Sequence, residues 1–124
     1  MKSAVHISLN VTGLDQSVNF YTRFFGEPVK LKPGYAKFVT SEPEIHLALE
    51  EGLPKEKLGG ALSHLGIRVG STDEVIRWKK KVNERGLLTQ DEMKTDCCYA
   101  LQDKFWVTDP DGNRWEIYTV HKDL

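Results

Sequence analysis

The sequence contains few cysteines, no excess of positive charge and no long hydrophobic run. Only 2 of its 124 residues are cysteine, which is too few for a disulfide framework. The 17 Lys and Arg residues are balanced by 18 Asp and Glu residues, and the net charge of -1 argues against nucleic acid as a partner. No apolar stretch approaches the roughly 20 residues of a membrane span. These absences predict a soluble globular protein with no nucleic-acid or membrane partner.

The start of the chain and its composition bear on location and domain number. The first residues lack an apolar signal segment and run directly into a strand pattern, so we expect a cytoplasmic protein. An apolar fraction of 40% with 10% aromatic residues is enough to build a core. Because the chain has the size of one ordinary domain, we expect a single domain over residues 1–124.

The first half of the sequence predicts one strand, one helix and three further strands. Residues 4–11 alternate between apolar and polar, which is typical of a half-buried strand. Apolar residues then recur at helical spacing from Asp15, a favourable N-cap residue, to Gly26, which ends the helix. This βαβββ order defines module one, residues 1–50, and a connector follows at 51–61. The three further strands are predicted at Val29–Lys32, Tyr35–Thr40 and Ile45–Glu50.

The second half, residues 62–124, repeats this order as module two. Its helix opens with a Ser71-x-x-Glu74 capping box and ends before Gly86. One offset places His64 on His6, and an internal duplication explains this correspondence. The predicted fold is therefore α+β, with two tandem βαβββ modules forming a curved mixed sheet around a cleft. The strands of module two are predicted around Ile67 and at Leu88–Gln90, Tyr99–Thr108 and Arg114–Val120, with a polar turn over residues 109–113.

Three polar side chains fall where such a cleft would lie. His6 and His64 occupy equivalent points on the first strands of the modules, and Glu116 lies on the last strand. Two imidazoles and one carboxylate form the facial triad that holds a divalent metal with positions left open. These donors suit Fe(II), Mn(II), Ni(II), Co(II) or Zn(II) without choosing among them, so we predict a metal-binding cleft. The simpler interpretation is that the histidines are solvated, and whether Glu44 or His46 adds a fourth ligand stays open.

The two cysteines are adjacent, as Cys97 and Cys98. Pairs of thiolates favour thiophilic centres such as Cu(I), Zn(II), Cd(II) or trivalent arsenic. Because adjacent side chains of a regular strand point to opposite faces, both thiolates reach one centre only where the backbone is irregular. The preceding residues, Thr95 and Asp96, permit such a loop. The alternative is that both cysteines are inert packing residues.

The doubled βαβββ order and three motifs resemble the vicinal oxygen chelate superfamily. That superfamily contains glyoxalases, bleomycin- and fosfomycin-resistance proteins and extradiol dioxygenases, and the resemblance covers nearly the whole chain. It implies metal ligands on the first strand of each module and on the last strand, which here are His6, His64 and Glu116. The motifs are Leu14-Asp15-x-Ser17-Val18-x-Phe20-Tyr21, His64-Leu65-Gly66-Ile67 and Asp109-Pro110-Asp111-Gly112-Asn113-x-x-Glu116.

Two further motifs resemble the carbon-arsenic lyases of that superfamily, a family often described as cadmium-induced-protein-like. The resemblance implies an Fe(II)-dependent dioxygenase that uses O2 to cleave the carbon–arsenic bond of trivalent organoarsenicals such as methylarsenite. It also implies that Cys97 and Cys98 bind the arsenic, and that a methyl group is released as formaldehyde. The motifs are Gly34-Tyr35-Ala36-Lys37-Phe38 and Thr95-Asp96-Cys97-Cys98-Tyr99-Ala100-Leu101-Gln102-Asp103-Lys104-x-Trp106-Val107.

Two other functions stay open on the sequence. A thiol transferase similar to fosfomycin-resistance proteins would use the same ligands with Mn(II) and would give the cysteine pair no role. A non-catalytic protein would sequester arsenic, cadmium or a drug in the cleft without turnover. Superfamily members commonly pair modules across a homodimer, but both modules lie in this chain, so a monomer and a homodimer are both compatible with the sequence.

Overall fold

The computed structural model describes residues 3–52, 61–97 and 100–123. Within these residues, two helices and eight strands follow one another in the order that the sequence predicts. No helix in these described segments is long and apolar enough to cross a membrane. The elements are β1 (Val5–Val11), α1 (Leu14–Phe25), β2 (Lys30–Lys32), β3 (Tyr35–Ser41), β4 (Glu44–Glu51), β5 (Leu65–Arg68), α2 (Thr72–Glu84), β6 (Gln90–Cys97), β7 (Ala100–Thr108) and β8 (Arg114–Asp123).

The chain divides into two compact units, one formed by residues 1–61 and 109–112 and the other by residues 62–108 and 113–124. In unit one the strand order is β1-β4-β3-β2, with β1 parallel to β4 and the other neighbours antiparallel. Unit two has the order β5-β8-β7-β6 with the same strand directions. The predicted fold class is confirmed as α+β with two βαβββ modules, each built on a mixed four-stranded sheet.

In unit one, α1 packs its apolar face against β3 and β4. Tyr21 and Phe24 of this helix are buried, and the Tyr21 ring lies 6.0 Å from the ring of Phe38 on β3. The Tyr21 hydroxyl donates a 2.6 Å hydrogen bond to Oδ2 of the buried Asp109. Because a buried carboxylate needs partners, this bond ties the turn at residues 109–112 to the helix of unit one. The sheet adds Leu9, Val11, Ala36, Phe38, Leu47 and Leu49 to the core.

In unit two, α2 packs against β7 and β8. Val75 and Val82 of the helix are fully buried, as are Trp115 and Ile117 on β8. Since side chains alternate between the two faces of a strand, burial of Trp115 and Ile117 against the helix directs Glu116 to the opposite face. The position of the predicted carboxylate ligand thus follows from core packing.

The prediction that Asp15 caps α1 is wrong. The N-cap is Gly13 in an extended conformation (φ -134, ψ 104), and the helix begins at Leu14. The carboxylate of Glu51 on β4 takes over the capping role, since its Oε2 accepts a 2.8 Å hydrogen bond from the backbone N–H of Leu14. Asp15 lies in the first turn, where a negative charge interacts favourably with the helix dipole.

The prediction for the start of α2 is confirmed in its first part. Ser71 is the N-cap, and its Oγ accepts a 3.2 Å hydrogen bond from the backbone N–H of Glu74. The return bond of the capping box differs, because Glu74 Oε2 accepts from the backbone N–H of Gly70 at 2.8 Å. The helix ends at Glu84, and Gly86 follows with a φ of 90°, a conformation that favours glycine.

The second predicted strand of module two is displaced along the sequence. A strand was expected at Leu88–Gln90, but β6 begins at Gln90 and continues to Cys97. Thr95 and Asp96, where the sequence permits a loop, lie within β6 and pair with β7. The irregularity lies earlier in the strand, where the register with β7 shifts between Glu92 and Thr95.

Candidate metal centre

One face of the unit-two sheet carries two of the predicted ligands, His64 and Glu116. Glu116 lies on β8 between β5 and β7, where its register partners are Gly66 and Trp106. Directly opposed residues of neighbouring strands point to the same face of a sheet. Glu116 is therefore at the centre of a row of three residues on the face away from α2, and its side chain is buried.

His64 lies immediately before β5 with its two ring nitrogens facing different partners. Nε2 lies 3.7 Å from Glu116 Oε1, and Nδ1 lies 2.9 Å from Ser63 Oγ. When Nδ1 carries the ring proton and donates it to Ser63, Nε2 presents a free lone pair toward Glu116. Metal-binding histidines commonly have this arrangement, in which the second nitrogen donates to a neighbouring acceptor.

The spacing of these two donors fits a shared metal ion. Bonds from a divalent metal to imidazole nitrogen and carboxylate oxygen are about 2.1 Å, so two ligands of one ion lie no more than about 4.2 Å apart. The 3.7 Å between His64 Nε2 and Glu116 Oε1 is within this limit and is too long for a hydrogen bond. Nitrogen and oxygen donors suit Fe(II), Mn(II), Ni(II), Co(II) and Zn(II) alike. The donor pair therefore fits the predicted metal without identifying it.

Lys104 contacts the other carboxylate oxygen of Glu116. Its Nζ donates a 3.2 Å hydrogen bond to Oε2, and the lysine side chain is fully buried. A buried ammonium group is costly unless an opposite charge and hydrogen bonds compensate it. Lys104 lies on β7, diagonally across from Glu116, and its long side chain bridges this separation.

Gly66 provides the space that the Glu116 side chain occupies. A Cβ atom at this position would lie 2.9 Å from Glu116 Cγ and 3.3 Å from Oε1. The first distance is shorter than real Cβ contacts, so any larger residue here would displace the carboxylate. The glycine is thus required by the close approach of a neighbouring side chain.

Trp106 packs beside His64 and beside two cationic side chains, those of Lys104 and Arg114. The His64 ring meets it edge-on with centroids 5.1 Å apart, and the Arg114 guanidinium lies 4.0 Å from its ring centroid. Lys104 Nζ is 5.4 Å from the same centroid. Among the described residues, the buried indole Nε1–H of Trp106 has no hydrogen-bond partner. The indole therefore limits the orientations of the His64 ring and of two positive charges.

The third predicted ligand, His6, lies in unit one and is exposed. It is the register partner of His46 on β4, whose Nε2 lies 3.0 Å from Glu44 Oε2. Within the described residues of unit one, and likewise within those of unit two, no three His, Cys, Asp or Glu side chains come together as a metal site. The set of His6, His64 and Glu116 therefore stays a prediction, of which the structure brings His64 and Glu116 together.

The strand registers show which residue of module one corresponds to Glu116. If His6 corresponds to His64, then Ser8 corresponds to Gly66. The register partner of Ser8 on β4 is Ala48, whereas that of Gly66 on β8 is Glu116. Module one thus carries a small apolar residue where module two carries the predicted carboxylate ligand.

Of the cysteine pair, the structure describes only the backbone of Cys97. It is the last residue of β6 and the register partner of Ala100, the first residue of β7. Cys98 lies outside the described residues. The predicted arsenic-binding role of both cysteines therefore remains a prediction.

Ser63, Gly66 and Lys104 belong to this face of the sheet but were not predicted as parts of the site. The signal that reveals Lys104 is the turn at residues 109–113, because the hairpin around it pairs Trp106 with Glu116. Strand alternation then places Lys104 on the same face as Trp106. Gly66 is a glycine inside a strand, which often marks the close approach of another group.

Comparisons of this chain with known proteins agree on one family. Residues 3–117 match the family model described as the Glyoxalase/Bleomycin resistance protein/Dioxygenase superfamily. The chain is 51% identical over 115 residues to a trivalent organoarsenical cleaving enzyme of Bacillus sp. (strain MD1), covering 91% of this chain and 70% of that protein.

Another relative and a solved structure agree with this family. The cadmium-induced protein CadI of Mycobacterium bovis is 47% identical over 122 residues, covering 98% of this chain and 78% of that protein. A crystal structure of a glyoxalase/bleomycin resistance protein/dioxygenase from Nocardioides has a TM-score of 0.73 at 20% identity, covering 99% of this chain and 87% of that one. At this identity the structural similarity supports the fold alone.

Proposed function

We propose the function of this chain from its family, since the chain belongs to the glyoxalase/bleomycin resistance protein/dioxygenase superfamily. Within that superfamily we propose an Fe(II)-dependent dioxygenase that cleaves the carbon–arsenic bond of trivalent organoarsenicals. The observation that carries this proposal is 51% identity, over 91% of the chain, to a protein named as a trivalent organoarsenical cleaving enzyme. A cytoplasmic location, and a homodimer as one form of assembly, belong to the same proposal.

The proposed metal ligands are His6, His64 and Glu116. The close approach of His64 Nε2 and Glu116 Oε1 supports this assignment. So does the 2.9 Å contact between Ser63 Oγ and His64 Nδ1, which lets Nδ1 carry the ring proton while Nε2 coordinates. Fe(II) is the metal we propose, and Mn(II), Ni(II), Co(II) and Zn(II) suit the same donors. When bound, Fe(II) supplies an open coordination position for O2 next to the substrate.

The proposed substrate ligands are Cys97 and Cys98. Thiolates bind trivalent arsenic strongly because both are soft partners. Two thiolates on one arsenic would orient its organic substituent toward the metal ligands, which is a proximity effect. For methylarsenite the overall reaction with one O2 yields arsenite and formaldehyde, and all atoms are accounted for in these two products.

The test is a single-turnover reaction under controlled oxygen. Purified protein is loaded anaerobically with Fe(II), methylarsenite is added, O2 is admitted, and arsenite and formaldehyde are quantified. We expect both products only when Fe(II) and O2 are present together. The Glu116→Gln variant, which removes one ligand charge, should release neither, whereas Glu50→Gln should behave like the parent protein. Arsenite release without Fe(II) or without O2 would contradict the proposal.

The cysteine role has its own test. Cys97→Ser and Cys98→Ser should each lose methylarsenite binding while retaining Fe(II) or Co(II) binding. Binding is measured by equilibrium dialysis with arsenic detection, and metal binding by titration. Retained arsenical affinity in both variants would remove the cysteines from the proposed site.

A sequestering protein is the second candidate, favoured by the 47% identity to a protein named for induction by cadmium. Such a protein would bind methylarsenite or Cd(II) through the cysteines and release no product. The reaction above separates the two candidates, because only the dioxygenase consumes O2. Stoichiometric binding with no oxygen uptake would favour sequestration.

A further inference from the structure

The two carboxylate oxygens of Glu116 have different partners. Oε1 lies 3.7 Å from His64 Nε2, while Oε2 accepts a 3.2 Å hydrogen bond from Lys104 Nζ. Carboxylates bind metal ions through either one oxygen or two. Here one oxygen faces the predicted partner ligand and the other is held by a buried ammonium group. The carboxylate is therefore asymmetric before any metal binds.

We infer that Lys104 fixes Glu116 as a one-oxygen metal ligand and so keeps one more coordination position open for substrate. The need for that open position rests on the proposed function, whereas the one-oxygen binding mode does not. Lys104 touches neither substrate nor metal in this inference, because it acts through Glu116 and is a positioning residue. Outer partners of ligating carboxylates have this effect in other metal sites.

The surroundings of Lys104 hold its ammonium group in place. The side chain is fully buried and its Nζ is 5.4 Å from the ring centroid of Trp106, within range of a cation–π interaction. Moving it away from Glu116 would leave a buried charge with one compensating interaction fewer. Glu116 in turn is confined on its other side by the close approach of Gly66. The carboxylate thus has little freedom to rotate and offer Oε2.

The same arrangement lowers the metal affinity of the centre. A fixed positive charge beside a divalent cation repels it, and this repulsion is substantial at the effective dielectric constant of a protein interior. Removing the charge should therefore strengthen metal binding while it frees Oε2. This combination separates a positioning role from a structural one, since a merely structural lysine would leave a weaker site when removed.

The test replaces Lys104 and follows Co(II), whose visible absorption weakens as its coordination number increases. In Lys104→Met, which has a similar length and no charge, we expect weaker visible bands and a Kd for Co(II) about tenfold lower. Lys104→Gln provides a second variant that is one bond too short to reach Oε2, so the same changes are expected. Circular dichroism and urea unfolding check that each variant folds.

Lys79→Met is the matched control, because it removes another lysine–carboxylate pair of the same unit. Lys79 pairs with Asp91, and both side chains are partly exposed. Lys79→Met changes the net charge by the same amount as Lys104→Met but leaves the Lys104–Glu116 pair intact. Its Co(II) spectrum and Kd should therefore equal those of the parent protein. A similar shift in Lys79→Met would mean that overall charge, rather than Lys104, sets the binding mode.

The outcomes distinguish this inference from the proposed function. Unchanged spectra in the folded Lys104 variants, or weaker binding with an unchanged spectrum, would overturn the inference, as would a parent protein that binds no Co(II). The spectral change and tighter binding in the Lys104 variants, together with no release of arsenite by the Fe(II) protein, would support the inference and refute the proposed function.

Discussion

The two modules share a strand order and a histidine at the same position, but they surround that histidine differently. His6 in module one is exposed, while His64 in module two is half-buried beside Trp106, with Ser63 on one ring nitrogen. Where module two has Glu116, module one has Ala48. The two sheets therefore supply equivalent positions for the histidines, but the side chains around those positions differ. The metal centre that we propose depends on this difference.

The difference extends to the residue opposite each of these positions. Ser8 lies beside Ala48 in module one, whereas Gly66 lies beside Glu116 in module two. In module two the inner strand β8 carries the larger residue, Glu116, and the edge strand β5 carries a glycine beside it.

The largest expected effect is the loss of the carboxylate that only module two carries. Glu116→Gln should raise the Kd for Co(II) by more than about 100-fold, since it removes a ligand charge directly. Glu50→Gln, a carboxylate on the corresponding strand of module one, should leave the Kd unchanged. Titration followed by visible absorption measures both. Equal effects of the two substitutions would place the centre elsewhere.

An exchange of residues between the modules tests whether Glu116 needs the space that Gly66 leaves. Gly66→Ser introduces the module-one residue, and its Cβ would lie 2.9 Å from Glu116 Cγ. We expect the displaced carboxylate to weaken Co(II) binding about 10- to 100-fold. The reciprocal Ser8→Gly should leave metal binding intact and cost about 0.5–1 kcal/mol of stability in urea unfolding. Undiminished binding in Gly66→Ser would show that Glu116 does not need this space.

The buried polar contact of unit one should affect stability and leave metal binding alone. Tyr21→Phe removes the 2.6 Å hydrogen bond to Asp109 and should lower the free energy of unfolding by about 1–3 kcal/mol. Tyr35→Phe, at a half-buried side chain of the same unit, should cost less. Urea denaturation and Co(II) titration together check this. A changed Kd for Co(II) in Tyr21→Phe would show that this hydrogen bond also affects metal binding, contrary to the prediction.

The smallest expected effect concerns the partner of the His64 ring. Ser63→Ala removes the acceptor for Nδ1, which should raise the Kd for Co(II) by up to about tenfold. Ser8→Ala in module one removes a hydroxyl that bonds Glu50 and should leave the Kd unchanged. If Ser63→Ala binds as tightly as the parent protein, Ser63 does not set the tautomer of His64.

Elements that depend on local patterns could be predicted from the sequence. Strand alternation identifies β1 and β8, and Ser71 marks the start of α2 because its hydroxyl caps a nearby N–H. The start of α1 was mistaken because its cap is the carboxylate of Glu51, 37 residues away from Leu14. A local sequence pattern contains no information about a partner that folding brings from another strand.

The site shows the same limit. The repeat predicted His64 and strand alternation predicted Glu116, since both patterns can be recognised in the sequence without knowing how the strands pair. Lys104 was missed because its burial and its bond to Glu116 depend on the register of β7 against β8. On sequence alone a lysine in an alternating strand indicates an exposed position, and a buried ion pair reverses that expectation.

The position of Trp106 gives the protein an intrinsic optical reporter. Its indole lies 5.1 Å from the His64 ring and is stacked by the Arg114 guanidinium, so its emission depends on the local electric field. A paramagnetic cation held by His64 would quench this fluorescence at short range, whereas diamagnetic Zn(II) would shift it with less quenching. Occupancy of the centre can therefore be followed in dilute solution without a label, and Trp106→Phe identifies the contribution of this one tryptophan.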